Sequence, residues 1–286
     1  MLDSAADVLV PALAAGVIAV LATVAVERLG GVLGGILASV PTTIVPAAIG
    51  MHGAAADPGD FTQSMAFIPV GILMNAGYLT LWRVIPAKLG KRSHRHLLAA
   101  TVAISLGAWL AVATAVVWVH EAARPSEALA LAIGCTACAA GFCLGIAANR
   151  VPHPAPAGSR RVGPVVLAVR GLAAGTAIGA AVLLSRSGMP VAAGMGTVFP
   201  AIFTTIMVAT WLSQGAQVPT GAVGPIILGT TSVSAYALLA TVLFPRMPAP
   251  AAAAACWALA AGCVSLPSYL WIRRVRATSG SRRGTP

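Results

Sequence analysis

The sequence predicts an all-α polytopic membrane protein of about nine transmembrane helices, built as two inverted-topology four-helix repeats joined by a central helix. Three observations predict it: the composition, the spacing of apolar stretches, and the sidedness of the charges. Of 286 residues, 58% are hydrophobic and 9% charged, whereas soluble domains carry about a quarter charged residues. Water does not solvate a surface so poor in charge, while lipid accepts Ala, Val, Leu and Ile without penalty. Many of the thirty Gly and twenty Pro lie inside apolar runs, where membrane helices tolerate them.

A helix rising about 1.5 Å per residue needs about 20 apolar residues to cross a core of roughly 30 Å. Nine stretches qualify, near 8–26, 30–51, 62–82, 97–119, 128–148, 163–184, 188–210, 220–244 and 251–272. The first follows Met-Leu-Asp-Ser-Ala-Ala-Asp, which lacks a positive n-region and a small-residue cleavage site, so it is expected to stay as a span. The second follows a very short turn, is rich in Gly, and carries Pro41 and Pro46; it and the seventh are the two spans that a re-entrant path would suit. The third carries Asn75, read as interhelical glue. The fourth leaves a basic loop whose His94 and His96 read as solvated. The fifth holds Cys135, Cys138 and Cys143, a CxxC without the second pair of a zinc site, and reads as small-residue packing. A Pro-rich linker, 149–162, follows. The sixth span contains Arg170, about 10 Å deep by helical rise, and the seventh repeats the Gly and Pro richness of the second. The eighth and ninth close the set, with Cys256 and Cys263 in the last. Trp82, Trp211 and Trp271 fall near one end of their spans and Trp118 and Trp257 near the other, and all five read as interfacial anchors.

The charges test this count independently, because alternate loops must lie on opposite sides and Lys/Arg collects on the cytoplasmic one. Fourteen Lys/Arg fall on one side and three (Arg124, Arg186, Arg246) on the other, with Arg170 inside a span. Asp3, Asp7, Asp57, Asp60, Glu121 and Glu127 gather on the arginine-poor side. The expected topology is N-terminus outside and C-terminus cytoplasmic, in a plasma membrane of bacterial inner-membrane type. The net charge of +11 is then a topology signal, and no nucleic-acid partner is expected.

Shifting the chain by 158 residues aligns Ala15 with Ala173, Gly30 with Gly188, Val40 with Val198, Gly71 with Gly229 and Tyr78 with Tyr236. Spans one to four then map onto six to nine, leaving the fifth as connector. The division is residues 1–127 for the first repeat, 128–162 for connector helix and linker, 163–272 for the second repeat, and 273–286 for a basic cytoplasmic tail. Five spans separate equivalent positions, so the copies enter from opposite faces. In arrangement this resembles secondary transporters built from inverted repeats, with discontinuous helices at a midplane site.

The candidate site lies in the two Pro-interrupted spans, since a proline frees the carbonyl one turn earlier. Ser39, Pro41 and Thr42 in span two and Thr197, Pro200 and Thr204 in span seven are the expected substrate-binding residues, with Ser39 and Thr197 equivalent under the shift. The alternative for this region is small-residue packing, with hydroxyls bonded to their own helix. Arg170 is the candidate cation for an anionic solute, against the reading that it snorkels. Glu27 is the candidate coupling carboxylate, against a solvated boundary residue. No catalytic residues, metal or cofactor are expected: the spans hold no nucleophile with a base, no carboxylate pair and no His/acid ligand set. The expected function is a secondary transporter moving a small solute by alternating access, with lipid and solute as partners and a homo-oligomer compatible with the sequence. The alternative is a membrane scaffold or accessory subunit.

Overall fold

The computed structural model describes residues 2–29, 40–89, 93–150 and 163–281, and every regular element among them is helical. In chain order these are α1 (Leu2–Leu29), α2 (Ile44–Ala54), α3 (Pro58–Leu89), α4 (His94–Ala123), α5 (Glu127–Arg150), α6 (Pro164–Arg186), α7 (Pro190–Thr197), α8 (Ala201–Gln214), α9 (Gln217–Leu243), α10 (Ala249–Ala260), a π turn (Ala261–Ser265) and α11 (Leu266–Ser281). Eight spans among the described residues are long and apolar enough to cross a membrane, α7–α8 and α10–α11 each counting as one. The chain is therefore an integral membrane protein of all-α class. The expected second span is described only from Val40 onward. It is irregular through Thr43 and then forms α2, whose 11 residues rise about 16 Å, too short to cross alone.

Lipid tails are as apolar as Leu, so no hydrophobic drive sorts these helices, and small or polar residues mark the faces that meet. In α1, Leu9, Val10, Leu13, Val17 and Leu21 face outward while Ala15 and Ala19 are buried. The buried positions of α5 are Ala130, Gly134, Ala137, Gly141, Gly145 and Asn149, a stripe with the three-to-four-residue spacing of one helical face. That stripe seats α5 against both α3 and α9. A Cβ on Gly134 would collide with the carbonyl oxygen of Ala66 in α3, so the backbones meet directly there.

α3 and α9 form the centre, packed on each other and on α5. They run antiparallel: Arg83 Nε near the end of α3 donates to the Thr220 carbonyl at the start of α9, 2.9 Å away. Their interior residues, including Phe61, Met65, Tyr78, Trp82, Leu228 and Tyr236, are fully buried. α1 and α6 form a second antiparallel pair. Arg186 at the end of α6 pairs with Asp7 near the start of α1 at 2.6 Å, so it holds a neighbouring helix. α4 lies mainly on α3, α10 lies on α9, and α2 wedges among α1, α6 and α10.

One expectation is corrected. Trp82 and Trp211 are not interfacial anchors: both are fully buried, with ring centroids 6.0 Å apart in an edge-on contact. Their depth along the span suits an interface, but the rings point inward, where the His94 ring also reaches Trp211 at 5.6 Å. Trp118 and Trp257 are exposed, as anchors should be. Residues 273–281 of the basic tail are helical and continue α11. A π turn interrupts the last span at Ala261–Ser265.

Candidate site at the helix break

The seventh span divides at Val198–Pro200. Val198 and Phe199 N–H groups close tight turns onto the Met195 and Gly196 carbonyls, both at 3.2 Å, and Pro200 has no N–H with which to continue the ladder. Irregular backbone at membrane depth persists only where protein buries it or a cavity solvates it. Here α3 supplies the partners. Asn75 Nδ2, on a fully buried side chain, donates to the Val198 carbonyl at 2.7 Å. Thr204 Oγ1 donates to the Pro200 carbonyl at 2.7 Å and lies 2.7 Å from the Tyr78 hydroxyl. A threonine hydroxyl carries one proton, so Tyr78 is the donor in that second bond. The Val198 carbonyl released by the break is thus capped from α3, while the Pro200 carbonyl accepts the first backbone bond of α8, from the Thr204 N–H at 2.8 Å, and Tyr78 of α3 fastens the Thr204 hydroxyl.

Close approach of backbones makes this reach possible. A Cβ on Gly194 in α7 would run into the Ser64 carbonyl oxygen of α3, and one on Gly71 would meet the Val198 side chain at 2.5 Å. Only residues without side chains let α7 and the break lie this near α3.

A cavity of about 990 Å³ opens beside the break. Its walls are α4 and α6 and its floor is α7 with Phe199; Trp109, Trp118, Glu121, Leu172 and Thr176 are among the residues that line it. Trp109 is 5% exposed and meets Phe199 edge-on, with centroids 5.2 Å apart. Trp118 stands 71% exposed further along α4. The lining is apolar apart from the two threonines Thr114 and Thr176, the indole edges and Glu121.

Of the residues expected from sequence, Thr197, Pro200 and Thr204 stand together at the break. Thr197 Oγ1 bonds back to the Gly194 carbonyl at 2.6 Å, and Thr205 likewise bonds to Ile202 at 2.8 Å, the local pattern of hydroxyls capping their own helix. Pro41 is buried and Thr42 half-buried in the irregular segment ahead of α2. Ser39 lies outside the described residues, as does the side chain of Glu27 in the last turn of α1. Arg170 does not line the cavity; its guanidinium donates to Thr23 of α1 across the α1–α6 interface. Asn75 acts between helices, as its reading as glue implies. This cavity lies between α4 and α6 on one flank of α7, and no residue of 40–54 lines it; residues 30–39 of span two lie outside the described residues.

Sequence reasoning passed over Trp109, Phe199 and the role of Tyr78. One signal was present: Trp109 stands near the middle of its span, unlike the tryptophans near span ends. Among the described residues no group of three or more His, Cys, Asp or Glu gathers for a metal, and Cys135 and Cys143 are exposed on the outward face of α5. Compared with protein-family models, curated proteins and solved structures, the chain matches none.

Proposed function

We propose that the protein is a secondary transporter that moves a small solute by alternating access around the α7–α8 break and the Pro41–Thr43 segment ahead of α2. The observation that carries this reading is the interrupted seventh span, held inside the bundle by Asn75 and by the Tyr78–Thr204 pair of a neighbouring helix. Element order supports an inverted repeat: with the 158-residue shift, α1, α2, α3 and α4 fall on α6, α8, α9 and α10–α11. Two equivalent pairs, α1 with α6 and α3 with α9, pack antiparallel, the relation that copies of opposite orientation require. The N-terminus is placed outside and the C-terminus in the cytoplasm of a bacterial-type inner membrane, on the charge distribution alone. Transport, not catalysis, is the activity in this reading.

At the break, the solute's polar groups exchange with those of Asn75, Thr204 and the Val198 carbonyl. An anionic solute depends on Arg170, and Glu27, one helical turn beyond Thr23 on α1, is the carboxylate assigned to coupling. Ligand binding stabilises the folded state selectively, so the test is a thermal-stability screen of purified protein against organic anions, amino acids, neutral metabolites and soft metal ions. One solute class is expected to raise Tm in a concentration-dependent way, with the shift lost in Thr204→Val. Loss of an anion-induced shift in Arg170→Ala assigns that residue to the solute, whereas retention assigns it to fastening α1 to α6. No shift with any class favours the scaffold or accessory-subunit alternative.

A further inference from the structure

We propose that the groove between α4 and α6 holds an acyl chain of an aminophospholipid, with the lipid's ammonium headgroup against the Glu121 carboxylate. This site adjoins the helix break, sharing Phe199 with it, but it does not rest on the transport reading.

The walls of the groove identify the phase it opens into. Leu110 and Val112 on α4, and Val165 and Leu172 on α6, are exposed large hydrophobic residues on spans that cross the membrane, so the surrounding medium is hydrocarbon. The occupant is therefore apolar along most of its length. Alanines at 173, 177 and 180 keep the α6 wall low, and Ala192 and Gly196 keep the floor low, which leaves room for an extended hydrocarbon chain. The lining of α4 extends from Trp109 to Glu121, about 18 Å of helical rise. That is more than half of a roughly 30 Å hydrocarbon core, the depth that one leaflet's acyl chain occupies.

The outer end of the groove selects the headgroup. Glu121 is the charged residue among those described that line the cavity. Its side chain is 48% exposed, and its ion-pair neighbour is His120 Nδ1 at 3.8 Å, beyond hydrogen-bonding distance. Its carboxylate oxygens are thus placed to accept hydrogen bonds at the membrane surface. A primary ammonium donates three such bonds; a quaternary ammonium donates none, and a glycerol headgroup brings no cation. Arg124, exposed at the C-terminal cap of α4, suits the phosphate that all three lipids share. Phosphatidylethanolamine is therefore the expected occupant, ahead of phosphatidylcholine and then phosphatidylglycerol.

The experiment incubates delipidated protein in detergent with equal amounts of phosphatidylethanolamine and phosphatidylglycerol and counts retained lipids by native mass spectrometry. Wild type is expected to retain phosphatidylethanolamine about fivefold over phosphatidylglycerol, the scale of one half-exposed charge pair. Glu121→Gln should erase the preference while keeping retention. Ala177→Phe, or Ala180→Phe at the more exposed position on the same wall, should reduce retention of both lipids about fivefold by filling the groove. Preference intact in Glu121→Gln overturns the headgroup assignment, and wild-type retention in both groove-filling variants overturns the site. Solute-induced stabilisation of the wild type is read separately, so failure of the lipid site leaves the transport reading standing, and the reverse.

Discussion

Gly194→Ala is the sharpest single test of how the break is held. In an unencumbered helix interior, replacing Gly by Ala gains about 0.5–1 kcal/mol, because Ala loses less backbone entropy on folding. At Gly194 the added methyl lands on the Ser64 carbonyl oxygen of α3, and a backbone carbonyl fixed in its own helix cannot rotate aside as a flexible side chain would. α7 must retreat, and overpacking of this kind costs roughly 1–3 kcal/mol. The collision outweighs the propensity gain, so net destabilisation of about 1–2 kcal/mol is expected. Gly107 in α4 is the matched control, since a Cβ there meets nothing within 4 Å; Gly107→Ala should be neutral or stabilising by up to about 1 kcal/mol. Both are measured by reversible unfolding in mixed micelles, followed by tryptophan fluorescence. The two substitutions should move the midpoint in opposite directions. A shift of the same sign and size would refute the close approach of α7 to α3 and, with it, the geometry that lets Asn75 reach the break.

Two further outcomes follow from the bonds at the break. Asn75→Leu keeps the volume but removes the donor, leaving the Val198 carbonyl buried and unpaired; a loss of about 1–2 kcal/mol in the same unfolding assay is expected, and wild-type stability would show that the bond contributes nothing. A double-mutant cycle with Tyr78→Phe and Thr204→Val should give a coupling energy of roughly 0.5–1.5 kcal/mol, and strictly additive losses would mean that the two hydroxyls do not share a bond in solution.

Membrane class was legible because composition and span length act over the whole chain and need no knowledge of packing. The seventh span's interruption was legible in part, since Pro200 follows a Gly-rich stretch, although Pro11, Pro69, Pro86 and Pro225 stand inside helices that continue past them. Which side chain would answer the break was not. Asn75 lies 123 residues from Val198 in sequence, and nothing local to either residue announces the other. Tryptophans misled for a related reason. Depth along a span is readable from sequence, but azimuth is not when both faces are apolar, so Trp82 and Trp211 read as anchors although they point at each other. The same blindness hid the groove: α6 alternates Val, Leu and Ala with no amphipathic signal, and only the placement of α4 opposite it makes a cavity of those alanines. Arg170 shows the limit for ionisable residues: its depth was clear and a partner on the first span was among its readings, but the Thr23 hydroxyl that it meets there carries no charge to announce it.

The small-residue stripe of α5 has a mechanical consequence. Helices docked through interlocking ridges and grooves have discrete resting positions, because side chains must climb out of one groove to reach the next. α5 presents few such teeth. Gly134 meets the α3 backbone, while Gly141 and Gly145 face Thr231 and Leu228 of α9. Yet a Cβ at Gly134 or Gly145 would lie within 3 Å of α3 or α9, so a slide that carried Ala130 or Ala137 of the same face to those points would collide with the neighbouring helices. The connector that sequence marks as the spacer between two halves is thereby keyed to one position against the central pair, by backbone rather than by side-chain teeth.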